Sequence, residues 1–350
     1  MMTQLMRTAL KTAFADAKDA NPGLLLQRGW ANFTQQKSAD EAGSKTEHIE
    51  RICAIPASSL YANAYNRWLQ STSSTNFCRL VLKVDNRLLI GLSGGGALET
   101  GCSLSHNHGM PYIPGSSIKG AVRAWAEAAL SEHKPLFAEL FGAKDSSSAA
   151  LLEFYDAWWV PQSAPGQLNN KPFVQDIVTT HHTDYYQGKG AAPSDLDSPV
   201  PNALVAVQGS FVVVVGTVPD YAPLVKNLLQ KALAANGVGA KTASGYGYFS
   251  ADDKRTKALE QQANLAQVAD LPPEQQQDMR LRHELQAMSE EALALMFSKN
   301  RNQTKARPDF EQLLAFVKTE YSSLISGWPQ KSPNFVKAYK FLKNNSGSDD

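Results

Sequence analysis

The sequence predicts an α+β protein whose middle part runs strand, helix, strand, strand, helix, strand, the ferredoxin-like or RRM-like (βαββαβ) order. Three observations predict it. Apolar runs at 77–84, 151–158, 205–215 and 246–249 have the length and the β-branched or aromatic content of strands. Stretches with helical spacing, 117–131 and 221–235, fall between the first and second and between the third and fourth of these runs. The flanking sequence, up to about residue 70 and beyond about 250, has helical spacing and no strand pattern. The expected organisation is therefore an N-terminal helical extension (1–70), one domain with large insertions (71–250), and a C-terminal helical module (251–350) with a frayed tail from Asn344.

Composition bounds the functions open to such a chain. At 350 residues, 43% hydrophobic and 19% charged, it is a folded protein rather than a disordered one. A net charge of +1 means that nucleic-acid binding cannot rest on a globally basic surface and needs a local patch or groove. Cys53, Cys78 and Cys102 are odd in number and widely spaced, which argues against a disulfide framework or a cysteine zinc site and fits a reducing compartment. Met1 to Phe14 is broken by Gln4, Arg7 and Lys11 and does not read as a signal peptide. The apolar stretch 204–218 is interrupted at Gln208 to Ser210 and falls short of a membrane span. The expected location is the cytoplasm.

Each element has its reason in the chain. Residues 1–70 read as helices separated by Asn21-Pro22-Gly23 and by the polar run 35–45. In 55–68 Leu60, Tyr61, Ala64, Tyr65 and Trp68 recur at helical spacing as a core-facing stripe, with base stacking by Tyr65 or Trp68 as the alternative. The alternating run 77–84 leads through 88–92 to Gly94, Gly95 and Gly96, which are either a flexible hairpin or a place where backbone meets ligand. Pro114-Gly115-Ser116-Ser117 starts a helix, with a serine oxygen able to cap the first N–H groups. Lys119 and Arg123, four apart, share a face near that helix N-terminus, where anions are favoured; the alternative is a solvated basic face. The Pro-rich passage 160–202 reads as a large insertion.

The densest signal is Gly237-Val238-Gly239-Ala240-Lys241-Thr242-Ala243-Ser244-Gly245-Tyr246-Gly247, four glycines in eleven residues around one lysine. Glycine admits φ > 0 and close approach of backbone, so the loop either holds an anion on its amides or simply ends a helix. It is not a P-loop, which needs Gly before Lys-Thr, nor a dinucleotide fingerprint, since it opens a strand. The histidine clusters His106-Asn107-His108 and His181-His182-Thr183-Asp184 have the residue types of metal or acid–base sites, but neither is a complete constellation. No nucleophile motif or cofactor fingerprint occurs.

Two Gly-hydrophobic-Gly turns separated by five residues including a lysine resemble the glycine-rich loop of the RAMP superfamily of CRISPR RNA-binding proteins. Ile113-Pro114-Gly115-Ser116-Ser117-Ile118-Lys119-Gly120 followed by Arg123 resembles a second hallmark of that superfamily. With Gly-Ala-Leu-Glu-Thr-Gly (96–101) and Thr-His-His-Thr-Asp-Tyr-Tyr (180–186), residues 77–250 are most similar to the RAMP subunit that ends type III-B (Cmr) effector complexes. The resemblance implies a non-catalytic subunit that holds the 3′ part of the guide RNA. Its partners would be guide and target RNA, other RAMP subunits and small helical subunits, without cofactor, metal or membrane. It also points to RNA contacts at Gly237, Gly239, Lys241, Thr242, Gly245, Tyr246, Gly247, Ser116, Ser117, Lys119, Arg123, the 94–96 glycines, His181 and His182. Two other readings stay open: a RAMP-type guide-processing endoribonuclease with a histidine base, and an assembly subunit that touches only protein.

Overall fold

The computed structural model describes residues 7, 9–10, 18–30, 39–94, 98, 100–143, 149–180, 182–186, 188–189, 192–195, 200–269, 273–286 and 288–345. The chain forms two compact units, Met1–Glu260 and Gln261–Asp350. In unit 1 the helices α1 (Pro22–Arg28), α2 (Ala39–Cys53) and α3 (Ser59–Ser71) precede β1 (Phe77–Val84). There follow β2 (Tyr112–Ile113), α4 (Gly115–Ala129), α5 (Lys134–Phe141), β3 (Glu153–Phe154) and β4 (Ala157–Trp159). The unit continues with β5 (Phe173–Thr180), α6 (Thr183–Tyr186), β6 (Val200–Val207), β7 (Ser210–Gly216), α7 (Ala222–Ala235) and β8 (Phe249–Ala251). The division between the units falls inside α8 (Asp253–Ala269).

The main sheet is antiparallel in the order β2-β4-β7-β1-β8, with β3 also paired to β7. On one face Leu80 and Leu82 of β1 and Val213 and Val215 of β7 meet Ile118, Val122 and Ala126 of α4 and Val225, Leu229 and Leu233 of α7. The recurrence of these helix residues every three or four positions is what turns one stripe of each helix to the sheet. On the opposite face Val81, Val212 and Val214 are buried under Tyr65 and Leu69 of α3. Trp68 lies there stacked on Trp158, ring centroids 6.1 Å apart. A strand buried on both faces loses the polar half of its alternation, which explains the unbroken run Val212 to Val215. Each such valine contributes about 1.5–3 kcal/mol by leaving water.

The first 70 residues share this core: Leu25, Ile49 and Ile52 are fully buried in it, and α3 roofs the second sheet face. Tyr65 is therefore a core residue with 6% exposure, and base stacking on the sheet is closed off. The three cysteines are free thiols, with burial pushing Cys78 up to about 11 and Cys53 and Cys102 up to about 12.

Several expected boundaries shift for physical reasons. The strand expected at 205–215 is two strands, because Gly209 at φ 102° turns the chain and Trp159 Nε1 donates to Gln208 O at 2.9 Å. β6 leaves the main sheet and pairs with β5 in an eight-residue antiparallel hairpin, so the Pro-rich passage carries regular structure. The strand expected at 151–158 breaks at Tyr155-Asp156, where the Asp156 carboxylate accepts the Gly115 N–H at 2.8 Å. That contact replaces the expected serine cap: α4 starts at Gly115, and Ser116 and Ser117 lie within its first turn. The last strand starts at Phe249, later than expected, because Tyr246 to Tyr248 still belong to the loop.

Unit 2 is helical: α9 (Pro273–Gln286), α10 (Glu290–Ser298), α11 (Arg301–Lys305), α12 (Phe310–Glu320), α13 (Ser322–Ser326) and α14 (Pro333–Asn344). It has its own core, with Phe297, Leu313, Val317, Trp328 and Ala338 buried together. Most of the tail expected to fray, 346–350, lies outside the described residues. No helix among the described residues is long and apolar enough to cross a membrane.

Candidate nucleic-acid interface

The loop 236–248 is shaped by bonds to its own unit. After α7 the Val238 N–H donates to Gly247 O (2.9 Å), Ala240 N–H to Leu89 O (2.7 Å) and Gly247 N–H to Arg87 O (2.8 Å). The loop is thereby stitched to itself and to residues 87–89. A Cβ on Gly247, at φ 75°, would lie 2.0 Å from Val238 O, and one on Gly239, at φ 101°, 2.4 Å from Leu89 O. At these two positions glycine is required by the approach of the protein's own backbone. Lys241 adopts the left-handed conformation at φ 56° and opens a single 3-10 turn, Thr242–Ser244, with Ser244 N–H donating to Lys241 O and Gly245 N–H to Thr242 O. Among the described residues the amides of Gly239, Thr242 and Ala243 have no hydrogen-bond partner.

Side chains around the loop divide into engaged and offered. The Tyr246 hydroxyl donates to Asp176 Oδ2 at 3.1 Å, and its ring joins Leu89, Leu204 and Ala206 beneath the β5–β6 hairpin. Burial, and then the neighbouring Asp176 charge, raises the Tyr246 pKa above the ordinary tyrosine value. Tyr246 thus fastens the loop to the hairpin. The Lys241 side chain is exposed.

Three separated stretches of sequence meet at an open cleft of about 650 Å³. Gly91, Leu92 and Ser93 form one wall, Ser117 and Ala121 of α4 a second, and Asn236 to Ala240 with Thr242 the third. Gly94 closes the turn after the first wall, its N–H bonded to Gly91 O, while Gly95 and Gly96 lie outside the described residues. No lining residue carries a charge or a group that titrates near neutral pH. The polar content is hydroxyl, carboxamide and backbone, with Lys241 placed between two lining residues.

The remaining residues named from sequence go elsewhere. At about 100° per residue, Ser117 and Ala121 lie about 40° apart on α4, whereas Lys119 is about 200° from Ser117 and looks away from the cleft. Arg123, on the Lys119 side, is engaged: Nε pairs with Glu127 at 2.9 Å and a terminal nitrogen donates to Gly142 O at 3.0 Å. Ser116 is exposed. His182 is half-buried, and its carbonyl accepts the Tyr186 N–H; His181 lies outside the described residues. His106 and His108 sit in a tight turn closed by Gly109 N–H to Ser105 O, and the His108 ring meets Tyr61 edge-on. Sequence reasoning missed Gly91, Ser93 and Asn236 in the cleft, as well as the two carboxylates that position it, Asp156 and Asp176. Gly91 offered one readable signal, a glycine five residues before the 96–101 motif.

Comparison with known proteins bears on this arrangement. Residues 81–250 match the RAMP superfamily, a span that contains both hallmark motifs and every wall of the cleft. The chain is 26% identical over 286 residues to the CRISPR system Cmr subunit Cmr6 of Pyrococcus furiosus, with 64% of this chain and 82% of the relative aligned. It is 29% identical over 174 residues to the Cmr6 subunit of Saccharolobus solfataricus, covering 47% of this chain and 54% of the relative. Among solved structures, a chain in the type III-B Cmr-beta complex bound to cognate target RNA matches with a TM-score of 0.49 and 20% identity, over 69% of this chain and 87% of that one. Residues 81–250 thus match the RAMP superfamily, and the chain is similar in sequence to the Cmr6 subunits of two CRISPR systems.

Proposed function

We propose that this chain is a non-catalytic, RNA-binding structural subunit of a cytoplasmic type III-B effector complex, and that it holds the 3′ part of the guide RNA by its backbone. The observation that carries the reading is the cleft where the two hallmark motifs and the 91–94 turn converge. Free amides, hydroxyls and one exposed lysine suit a phosphodiester, and contacts of that kind position RNA without reading bases. The lining offers no base to take a proton from a ribose 2′-OH and no acid to protonate a leaving oxygen, which favours holding over cleaving. The strand order, with α4 and α7 on one face, supports a ferredoxin-like βαββαβ core whose second face is roofed by α3. RNA is then received at the loops and not on the sheet face used by open RRM-type platforms.

The test is photocrosslinking in the complex reassembled with its neighbouring subunits, on a guide carrying 4-thiouridine at successive positions. Crosslinks from 3′-proximal positions should fall in 91–94 and 237–247. Crosslinks confined to other subunits would refute the reading. So would site-specific cleavage of guide precursor by the isolated chain that a His181→Ala, His182→Ala double variant loses.

A further inference from the structure

Unit 2 sorts its charges. Between residues 299 and 343 nine basic side chains occur with three acidic ones, whereas 261–298 has two basic and six acidic, so positive charge gathers in the second half of the module. Some of these cations have structural partners. Arg307 is held by Glu284 and Asp309, Lys331 by Glu290, and Arg282 by Glu320. Arg301, Lys305, Lys337 and Lys340 are exposed and form no ion pair among the described residues.

These four lie together. Lys305 Nζ sits 5.3 Å from the centre of the Phe341 ring, which joins α11 to α14. Phe341 is four residues after Lys337 and so shares its helix face, and Lys340 is one turn from Lys337. Arg301 precedes Lys305 by four and extends the stripe along α11. The Phe341 ring beneath Lys305 is itself packed on Phe297 and Phe310, so the patch rests on the core of the module.

We propose that this stripe is a second nucleic-acid contact, binding the phosphate backbone of single-stranded RNA without sequence preference. Protein–protein interfaces are depleted in lysine and are anchored by buried aromatic or aliphatic side chains, whereas nucleic-acid interfaces are polar and strongly positive. The stripe is three lysines and an arginine, and its aromatic ring is turned into the core. Among the described residues of unit 2 the only large apolar side chain that is markedly exposed is Leu324, at 37%, on α13. An acidic protein surface would therefore find charge here but no anchor. The ligand class is shared with the function proposed above, but the residues are different ones, in unit 2.

The experiment is fluorescence anisotropy of the full chain with an end-labelled mixed-sequence RNA of about 20 nucleotides, titrated at several salt concentrations. Replacing Arg301, Lys305, Lys337 and Lys340 by Gln together should weaken binding at least tenfold near 100 mM salt. It should also flatten the slope of log K against log salt by about 2–3, since each lost single-strand phosphate contact removes about 0.7. A charge-keeping variant (Arg301→Lys, Lys305→Arg, Lys337→Arg, Lys340→Arg) should stay within about threefold of wild type. Should the fourfold variant melt early, the pairs Arg301→Gln with Lys305→Gln and Lys337→Gln with Lys340→Gln should each remove about half of the slope. Wild-type affinity and slope in a folded Gln variant would overturn the proposal, as would equal loss in the charge-keeping variant. Lys241→Ala, measured alongside, separates the two sites: if it alone has an effect the stripe is refuted, and if the Gln variant alone has one the cleft reading fails and the stripe stands.

Discussion

Replacing Gly247 by Ala tests whether the glycine loop is shaped by the protein itself. The new Cβ would lie 2.0 Å from Val238 O, where side-chain Cβ atoms do not come within 3.0 Å of a neighbour, so the two strands of the loop must part by about 1 Å. Parting them strains the Val238 N–H to Gly247 O bond and the Gly247 N–H to Arg87 O bond together. Two backbone hydrogen bonds at about 1 kcal/mol each, plus about 1–2 kcal/mol for a left-handed non-glycine residue, give a loss of about 3–4 kcal/mol. Gly245 is the internal control. Its φ is 89°, but a Cβ there meets nothing within 4 Å, so Gly245→Ala should cost only the conformational part, about 1–2 kcal/mol. Urea unfolding of the full chain followed by tryptophan fluorescence reads this out, because five of the six tryptophans lie before residue 260. For a unit of this size the Gly247 variant should melt roughly 6–16 °C lower. Equal losses at the two positions would show that the backbone approach at Gly247 is not what fixes the residue.

Other expectations follow from the same geometry. Lys241→Ala and Lys241→Gly should weaken RNA binding by the same factor for unrelated sequences and flatten the salt slope by about 0.7, while the Gly variant is the more stable by about 1 kcal/mol because the site is left-handed; a sequence-dependent loss would mean that Lys241 reads bases. Tyr246→Phe removes the bond to Asp176 and should cost about 1 kcal/mol, the pair being partly exposed. Because the folded-state pKa of Tyr246 is raised, its contribution is complete below the ordinary value of 10.0 and is lost as pH climbs through the higher folded value, so wild type and variant should converge in strongly alkaline urea titrations. Asp156→Ala should cost about 1 kcal/mol through the lost contact at the start of α4, with Asp156→Asn nearly neutral; equal losses would point to the charge and not to the accepting oxygen.

Much of the fold was legible because its signals are local. The stripes of α4 and α7 and the alternation of β1 depend on neighbours three or four and two positions away, and those elements lie within two residues of where the pattern puts them. What was not legible depends on partners far along the chain. The break at Gly209 follows from Trp159 bonding to Gln208 O, 49 residues away, and the β5–β6 hairpin from a pairing across α6. The roof over the second sheet face had one trace, the absence of polar residues in Val212 to Val215. A half-exposed strand would alternate there, and the missing alternation called for a second layer that only the aromatic stripe of α3 could supply.

The site shows the same division, with a consequence for how its motifs are read. Glycine marked the loop correctly because positive φ is a local demand, yet the sequence could not say what approaches the glycines. At Gly239 and Gly247 it is Leu89 and Val238, so much of the motif serves to build a rigid loop pinned to 87–89. In the proposed reading, the chemistry left for a ligand is the amides of Gly239, Thr242 and Ala243 and the Lys241 side chain, with Asn236, Ser93 and Ser117 lining the same cleft. Lys119 and Arg123 passed the spacing test for a shared basic face, but helical geometry turns that face from the cleft and Glu127 neutralises half of it. Spacing within one helix fixes which side chains stand together; only the packing of that helix against the sheet fixes what they stand beside. A motif in this chain is therefore a reliable guide to where backbone is constrained and a weaker guide to which charges line the cleft.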